Sequence, residues 1–592
     1  MRSRLNKNRW IGSVLTLALA CSETTTEDQA RPVPEYRDAA ASVMPPDGGQ
    51  TMDASTTSDA GFTDSGYTDA SFKDAESIDA GLADDADLAD VEFADAELED
   101  AFGRDAANPD AAALDAALVD TGPTGPGPFV VSTASATQSR VQNYDRPITA
   151  GNPLKGFLTS YQWTTPDQRI PHQMEFVYVP LSDVLVAANQ YDFASGLEPH
   201  LIAAANRNNH LVVRFYADYP GRPPGLPAWL TAQINCSPYM EYGGGCSPDY
   251  SDSQFQTTIL NFIAEFGAQY DGDPRLGFIQ LGILGFWGEW HTFPHTTYFA
   301  SNGFQRQVID AFDQAFNRTR LMIRYPIHDS PQRDFGFHDD SFAYATIGTV
   351  PWFFHPRMMA AGADTRWQQG PIGGEVYPQL QDSIFTPSYV VDTYSQDFIQ
   401  CIEDTHTSWM INNGAFRAGG GYTGTQLDGA RVAALTMGYE YAIPNFSIEA
   451  SGLYQGAIDV AIEVDITNTG VAPFYYPLTL ILEDDLGNTA TLADDLQTLQ
   501  PQNVRTLRFT ANNVDPDYLR RNFSLRLGSS ILLPNQKIRF ADQADMNGRL
   551  SFEADFTCSW RGRSLNLGEE ADDCYCDADG QMIDQNAVRC IE

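Results

Sequence analysis

The stretch LGFIQLGILGFWGEWH, Leu276 to His291, is an apolar run that ends on a glutamate set among Trp287, Trp290 and His291. Eleven residues of it, Leu276 to Phe286, carry no charge and show no alternation of polar and apolar positions. A strand that is apolar on both faces needs cover on both, as in a parallel sheet wrapped by helices. Similar runs recur on either side. GFLTSY (156–161), EFVYVPL (175–181) and LVVRFYA (211–217) precede it, and RLMIRYP (320–326), FAYATIG (342–348), PIGGEVY (371–377) and SWMINNG (408–414) follow. Helical patterns fall at 199–208, 253–270, 304–316, 389–403 and 426–439. Eight strand units with interleaved helices predict an α/β fold, a (β/α)8 TIM-like barrel over 129–445.

From 446 to 556 the pattern changes to short alternating strands: AIDVAIEVDITN, PLTLILED, RTLRFTA and FSLRLG. With turn residues between them, they predict an all-β sandwich. The last segment, 557–592, holds Cys558, Cys574, Cys576 and Cys590. Two disulfides there would staple a tail too short for its own core, with three pairings open. Cys236 and Cys246 bracket a glycine-rich loop and are expected to form another disulfide. Cys401, in a helical stretch, is expected to be buried and free.

The N-terminal part is of a different kind. Arg2, Arg4, Lys7 and Arg9 precede an apolar run, Trp10 to Ala20, whose eleven residues would rise only about 16 Å as a helix. That is short of a bilayer core, so residues 1–20 read as a cleavable signal. The run ends Leu17-Ala18-Leu19-Ala20-Cys21, which resembles a bacterial lipobox and implies lipidation of Cys21. Ser22 at the next position favours the outer membrane by resemblance to bacterial sorting rules. The expected location is therefore exported and lipid-anchored to the cell envelope, with the membrane touched through the lipid anchor only.

Residues 21–128 read as a disordered stalk. From Ser22 to Gly127 there are 26 acidic residues against 4 basic ones, a net of −22 out of −42 for the whole chain. Aspartates recur every five residues, at 59, 64, 69, 74, 79 and 84 and again from 95 to 120. That period matches neither a helix face nor a strand face, and the tract has too few apolar residues to offset its backbone entropy. Nothing basic remains to hold nucleic acid.

Chemistry in such a barrel sits at the C-terminal ends of the strands. Strand four ends on Glu289 and strand seven on Glu375, which predicts two carboxylates facing across one mouth. An acid that protonates a leaving oxygen, paired with a nucleophile or base, is what cleavage of a glycosidic bond needs. Trp163, Trp287, Trp290, Trp352, Tyr377 and Trp409 lie at or beyond strand ends, where rings could stack on sugar faces. Arg214, Asp218, His291, Arg324, His328 and Asn412 are candidates for polar contacts at the rim.

These two glutamates resemble the pair of clan A glycoside hydrolases, retaining enzymes on (β/α)8 barrels. The resemblance implies that Glu289 is the acid/base and Glu375 the nucleophile. NPLKGF (Asn152 to Phe157) together with GFWGEWH looks more specifically like the bacterial domain-of-unknown-function family 4832, which joins a barrel-like part to a β-rich part. It would span about 152 to 556. One position departs from clan A, where asparagine usually stands just before the acid/base: here it is Gly288. The expected function is a surface-tethered glycoside hydrolase-like protein acting on polysaccharide, monomeric, with no metal or organic cofactor. The competing expectation is a non-catalytic glycan-binding or adhesion lipoprotein on the same scaffold.

Overall fold

The structure, a computed structural model, describes residues 129–133, 151–162, 169–170, 172–417, 421–452, 458–514, 521–542, 545, 547–552, 556–560, 563–566, 574–576 and 582–584. The signal, Cys21, the acidic stalk, Trp163 and Cys590 lie outside these residues. So do the side chains of Cys558, Cys574 and Cys576.

Eight parallel strands form one sheet. In chain order they are Gly156–Leu158, Met174–Pro180, His210–Asp218, Leu276–Phe286, Leu321–Ile323, Phe335–Phe342, Ile372–Val376 and Trp409–Ile411. Their spatial order runs one, eight, seven, six, five, four, three, two. Strands one and two then meet through a single parallel bridge between Thr159 and Glu175, with Phe176 N donating to Thr159 O at 3.0 Å. The sheet is a nearly closed barrel.

Side-chain parity along the strands sorts the core. Phe176, Val212 and Phe278 point inward with Met322 and Trp409, while Val177, Val213 and Ile279 pack outward against the helices. The helix Ser253–Tyr270 shows why. Phe255, Ile259, Phe262, Ile263 and Phe266 recur at helical spacing and are buried, and Asp252 caps its start by accepting from Gln254 N and Phe255 N at 2.8 and 3.1 Å. Each buried phenylalanine stabilises the sheet–helix layer by roughly 1.5–3 kcal/mol.

Some expected boundaries shift. Strand six is Phe335–Phe342, not 342–348, because FGFHDD carries three polar residues that break the apolar pattern. The helix expected at 389–403 is Phe398–Thr405. An additional helix, Phe354–Ala360, lies between strands six and seven.

Two antiparallel sheets follow the barrel. One orders Val504–Val514, Ile458–Asn468, Tyr441–Gly452, Phe129–Thr133, Phe556–Trp560 and Arg563–Asn566. The other orders Thr489–Ala493, Thr479–Asp484, Phe523–Gly528 and Leu550–Phe552. Phe446 of the first stacks on Phe552 of the second at 4.0 Å between ring centres. The strand Phe129–Thr133 pairs with Tyr441–Gly452 and Phe556–Trp560, so it belongs to this β-rich part and not to the barrel in which a 129–445 boundary places it.

Barrel and β-rich part share one apolar core, which runs from Phe176, Phe278 and Trp409 through Tyr439 and Tyr441 to Ile448, Leu480 and Leu525. Polar bonds cross the same joint. Tyr476 OH donates to Gly277 O at 2.6 Å, and Asn152 exchanges two bonds with the Arg539 backbone, at 3.1 and 2.8 Å. Lys155 pairs with Glu440 at 2.6 Å. NPLKGF thus fastens the closed end of the barrel to the sheets behind it.

Candidate active site

The barrel interior is apolar toward the N-terminal ends of its strands and polar toward the C-terminal ends. Phe176 gives way to Tyr178, Val212 to Arg214 and Phe278 to Gln280, each two residues on and therefore on the same face. Arg214, fully buried, is the hub. Its guanidinium donates to Gln280 Oε1 at 2.6 Å, Tyr178 OH at 2.9 Å, Asp340 Oδ2 at 2.7 Å and Glu289 Oε1 at 3.2 Å. Burial alone would raise the Asp340 carboxyl, but Arg214 and then His338 outweigh it and keep it well below the usual range. Burial pushes the His338 imidazole down to about 4. The neutral ring places its Nδ1 3.0 Å from Asp340 Oδ1 and 3.4 Å from Arg214 Nη2.

Glu289 sits on a tight turn directly after strand four. Ile283, Gly285, Trp287, Gly288 and Trp290 all have positive φ, at +68, +79, +54, +71 and +61°. For Ile283, Trp287 and Trp290 this is a costly conformation. The turn is fastened by Glu289 N to Phe286 O at 2.8 Å, Trp290 N to Leu284 O at 3.0 Å and Phe286 N to His291 O at 2.8 Å. A Cβ at Gly288 would lie 3.0 Å from both Ile283 N and Phe215 O. A larger residue at this position, asparagine included, would require the neighbouring backbone to shift. The turn leaves the Glu289 side chain 16% exposed, with Oε2 3.5 Å from His291 Nε2.

Glu375 rises from strand seven behind Gly373 and Gly374. A Cβ at Gly373 would strike the Trp409 ring, and Gly374, at φ +141°, lets strand seven run against Asp339. Gln381 Nε2 donates to Glu375 Oε1 at 3.2 Å and to Val376 O at 3.0 Å. Burial, then the nearby Asp340 and Glu289 charges, push the Glu375 carboxyl up to about 8, with Arg214 and Gln381 opposing. Glu289 and Glu375 thus share one electrostatic field, and Tyr178 and Tyr219 feel both.

The remaining expected residues divide. Trp287 lies at the mouth, edge-on to Tyr219 at 6.5 Å and to Tyr242 at 5.0 Å. Tyr377 stacks on Tyr344 at 4.1 Å. Arg324 lies beneath the site, donating to His338 O at 3.1 Å and paired with Asp339 at 3.4 Å. It supports strand six.

Six expected contacts fall elsewhere. Trp409 is wholly buried, stacked on Phe278 inside the barrel, so it is core and not a platform. Trp290 is buried in the helix-side core with Nε1 donating to Leu281 O. Asp218 accepts from Tyr239 OH at 2.8 Å beneath a neighbouring hairpin. His328 meets Gln305 at 2.9 Å, and Asn412 Oδ1 accepts from Ala415 N and Tyr422 OH. Trp352 packs on Phe353, and among the described contacts nothing joins it to the glutamates.

Tyr178, Gln280, His338, Asp340 and Gln381 escaped the sequence reading. Inward parity with Arg214 could have exposed Tyr178 and Gln280; misplacing strand six hid His338 and Asp340. The expected disulfide joins Cys236 to Cys246, across the hairpin Cys236–Tyr239 and Gly245–Pro248. Cys401 is buried and free.

No family model matches the chain. No curated protein matches it. Among solved structures, it is similar to GH5_18 from Bifidobacterium longum subsp. longum, at 12% identity and a TM-score of 0.29 over 48% of this chain and 79% of that one. A family 39 glycoside hydrolase from the gut symbiont Bacteroides cellulosilyticus matches at 10% and 0.31, over 60% and 81%. A GH5-4 broad specificity endoglucanase from an uncultured bacterium matches at 10% and 0.28, over 44% and 80%. At TM-scores this low the likeness decides nothing further, and the barrel rests on its own strand order.

Proposed function

We propose that the chain is a glycoside hydrolase-like protein that cleaves polysaccharide with Glu289 and Glu375 as its working pair. The observation that carries this reading is the placement of both carboxylates at the C-terminal mouth of the barrel, Glu289 ion-paired to Arg214 and Glu375 within electrostatic reach of Asp340, Glu289 and Arg214. In a retaining reaction one carboxylate attacks the anomeric carbon while the other group gives its proton to the departing oxygen; the second then takes a proton from the incoming water.

The clan A resemblance gave the acid/base role to Glu289. The local charges support the reverse division. Glu289 is ion-paired to Arg214 and lies close to His291, contacts that suit the attacking group. Glu375, raised by burial and by two neighbouring carboxylates, keeps its proton at neutral pH.

A glycan panel tests both levels. Turnover by the wild type that is lost in Glu289→Gln and in Glu375→Gln establishes the pair. Aryl glycosides with good leaving groups then separate the roles, because they need no acid. The variant that still releases the aryl group lacks the acid, and the one that does not lacks the nucleophile. Binding without turnover in every protein would instead support the glycan-binding module, the reading that glycine at position 288 favours.

We also place the protein on the envelope surface, tethered through Cys21. Palmitate labelling of the expressed chain, absent in Cys21→Ala, tests this, and unlabelled wild type sinks it.

A further inference from the structure

We propose that Asp340 is a positioning residue for the glutamate pair, a third carboxylate that anchors Arg214 beside Glu289 and sets its own charge beside Glu375. The proposal deepens the two-glutamate reading and rests on it.

Strand register brings Asp340 to Glu375. Asp339 of strand six pairs with Gly374 of strand seven, so Asp340 and Glu375 are the next residues along two neighbouring strands. Both face the barrel interior. Asp340 reaches Arg214 there, and Glu375 pairs with Ile411, an inward residue of strand eight. Asp339 has the opposite parity and turns away, accepting from Ser341 Oγ and Thr346 Oγ1 at 2.7 Å each.

Asp340 has both oxygens engaged. Oδ2 accepts from Arg214 Nη2 at 2.7 Å, and Oδ1 lies 3.0 Å from His338 Nδ1. The other terminal nitrogen of Arg214, Nη1, donates to Glu289 Oε1 at 3.2 Å. One guanidinium thus spans two carboxylates, and the shorter contact is to the more deeply buried one. The Asp340 side chain is 2% exposed against 16% for Glu289. It lies too deep to touch a substrate, so it acts through its neighbours.

Those neighbours respond in different ways. Arg214 is held in place for Glu289, which gains a fixed cation. Glu375 gains a like charge at its side, which opposes its ionisation and keeps a proton there. The other charged or titratable groups around Glu375 are Glu289, Arg214 and Tyr178, with His338 and Arg324 set against Asp340 itself. Removing the Asp340 charge leaves Arg214 to Glu289 and takes one of two anions away from Glu375.

Urea unfolding of the intact, oxidised protein from about pH 5 to 9 tests this in wild type, Glu375→Gln, Asp340→Asn and the double variant. Subtracting each glutamine variant from its parent isolates the stability that the Glu375 proton supplies. In the wild type that contribution should fall as pH rises and level off near pH 8. Asp340→Asn keeps the shape and removes the charge, and with it the contribution should level off at least about one pH unit lower. Asp340→Ser replaces it where the asparagine variant does not fold. On any glycan that the wild type turns over, the alkaline limb of the pH–rate profile should move down by the same interval in Asp340→Asn. It should return toward the wild-type position in Asp340→Glu. An unchanged levelling pH overturns the proposal and leaves the two-glutamate reading to its own variants. A limb that stays in place while the stability curve moves overturns it as well. A wild type that turns over no glycan overturns the catalytic reading and this role with it.

Discussion

Arg214 shows how one residue can hold a site together. It carries no solvent exposure and answers two carboxylates, so its removal leaves Asp340 and Glu289 facing each other inside the barrel. Breaking a buried pair from one side costs about 3–5 kcal/mol. Arg214→Ala should lower the unfolding free energy measured by denaturant titration by that amount and abolish any turnover; an unfolding free energy equal to wild type would show that the network is not stabilising. Glu375 acts in the opposite sense. Its carboxyl is raised from 4.5 to about 8, so between those values the folded protein keeps a proton that the unfolded chain has released. Stability must fall as pH rises through that window and level off above it. Thermal melts from pH 4.5 to 8 should show this decline flattened in Glu375→Gln. If Glu375 is the proton donor, turnover should also fall as pH rises past about 8.

Among the elements, the turn after strand four is the least tolerant of change. Of the five positive-φ positions in the end of strand four and this turn, two are glycines, Gly285 and Gly288, which adopt it without strain. Gly288→Ala places a methyl against two backbone atoms and should cost about 1–3 kcal/mol, with loss of ligand binding where the fold survives. Melting temperature and circular dichroism read the first effect, and titration reads the second. The disulfide hairpin is a second fixed element. Cys236→Ser with Cys246→Ser should cost about 2–3 kcal/mol by freeing a short loop. Limited proteolysis should then cut within 236–248, where the oxidised hairpin resists.

For the whole molecule, the shared core means that the barrel and the sheets behind it stand or fall together. A chain cut after about 440 would expose Trp409, Tyr439 and the inner ends of strands two and four, an apolar surface of the kind that aggregates. Expression of 151–440 is expected to give insoluble protein, whereas 129–592 stays soluble with one cooperative melt. Two separate transitions in 129–592 would refute the single core. The start point matters as well, because Phe129–Thr133 fills the gap between Tyr441–Gly452 and Phe556–Trp560 in the large sheet.

The sequence alone determined the barrel and the two glutamates, because both are written in local pattern. Apolar runs of strand length record burial on two faces, and a glutamate just after such a run marks a strand end. The Cys236–Cys246 bond was legible from a short, glycine-rich loop. Only the tertiary structure decided which aromatic rings face the mouth and which fill the barrel. Trp287 and Trp290 are three residues apart on one turn, yet their own left-handed backbones and that of Gly288 between them send one to the rim and the other into the core. Tertiary structure also decided the partners of Arg214, since Tyr178 comes from strand two, Gln280 and Glu289 from strand four and its turn, and Asp340 from strand six, and they meet only when the sheet curls. No spacing in the chain records that closure, and the charges that distinguish Glu289 from Glu375 arise from it.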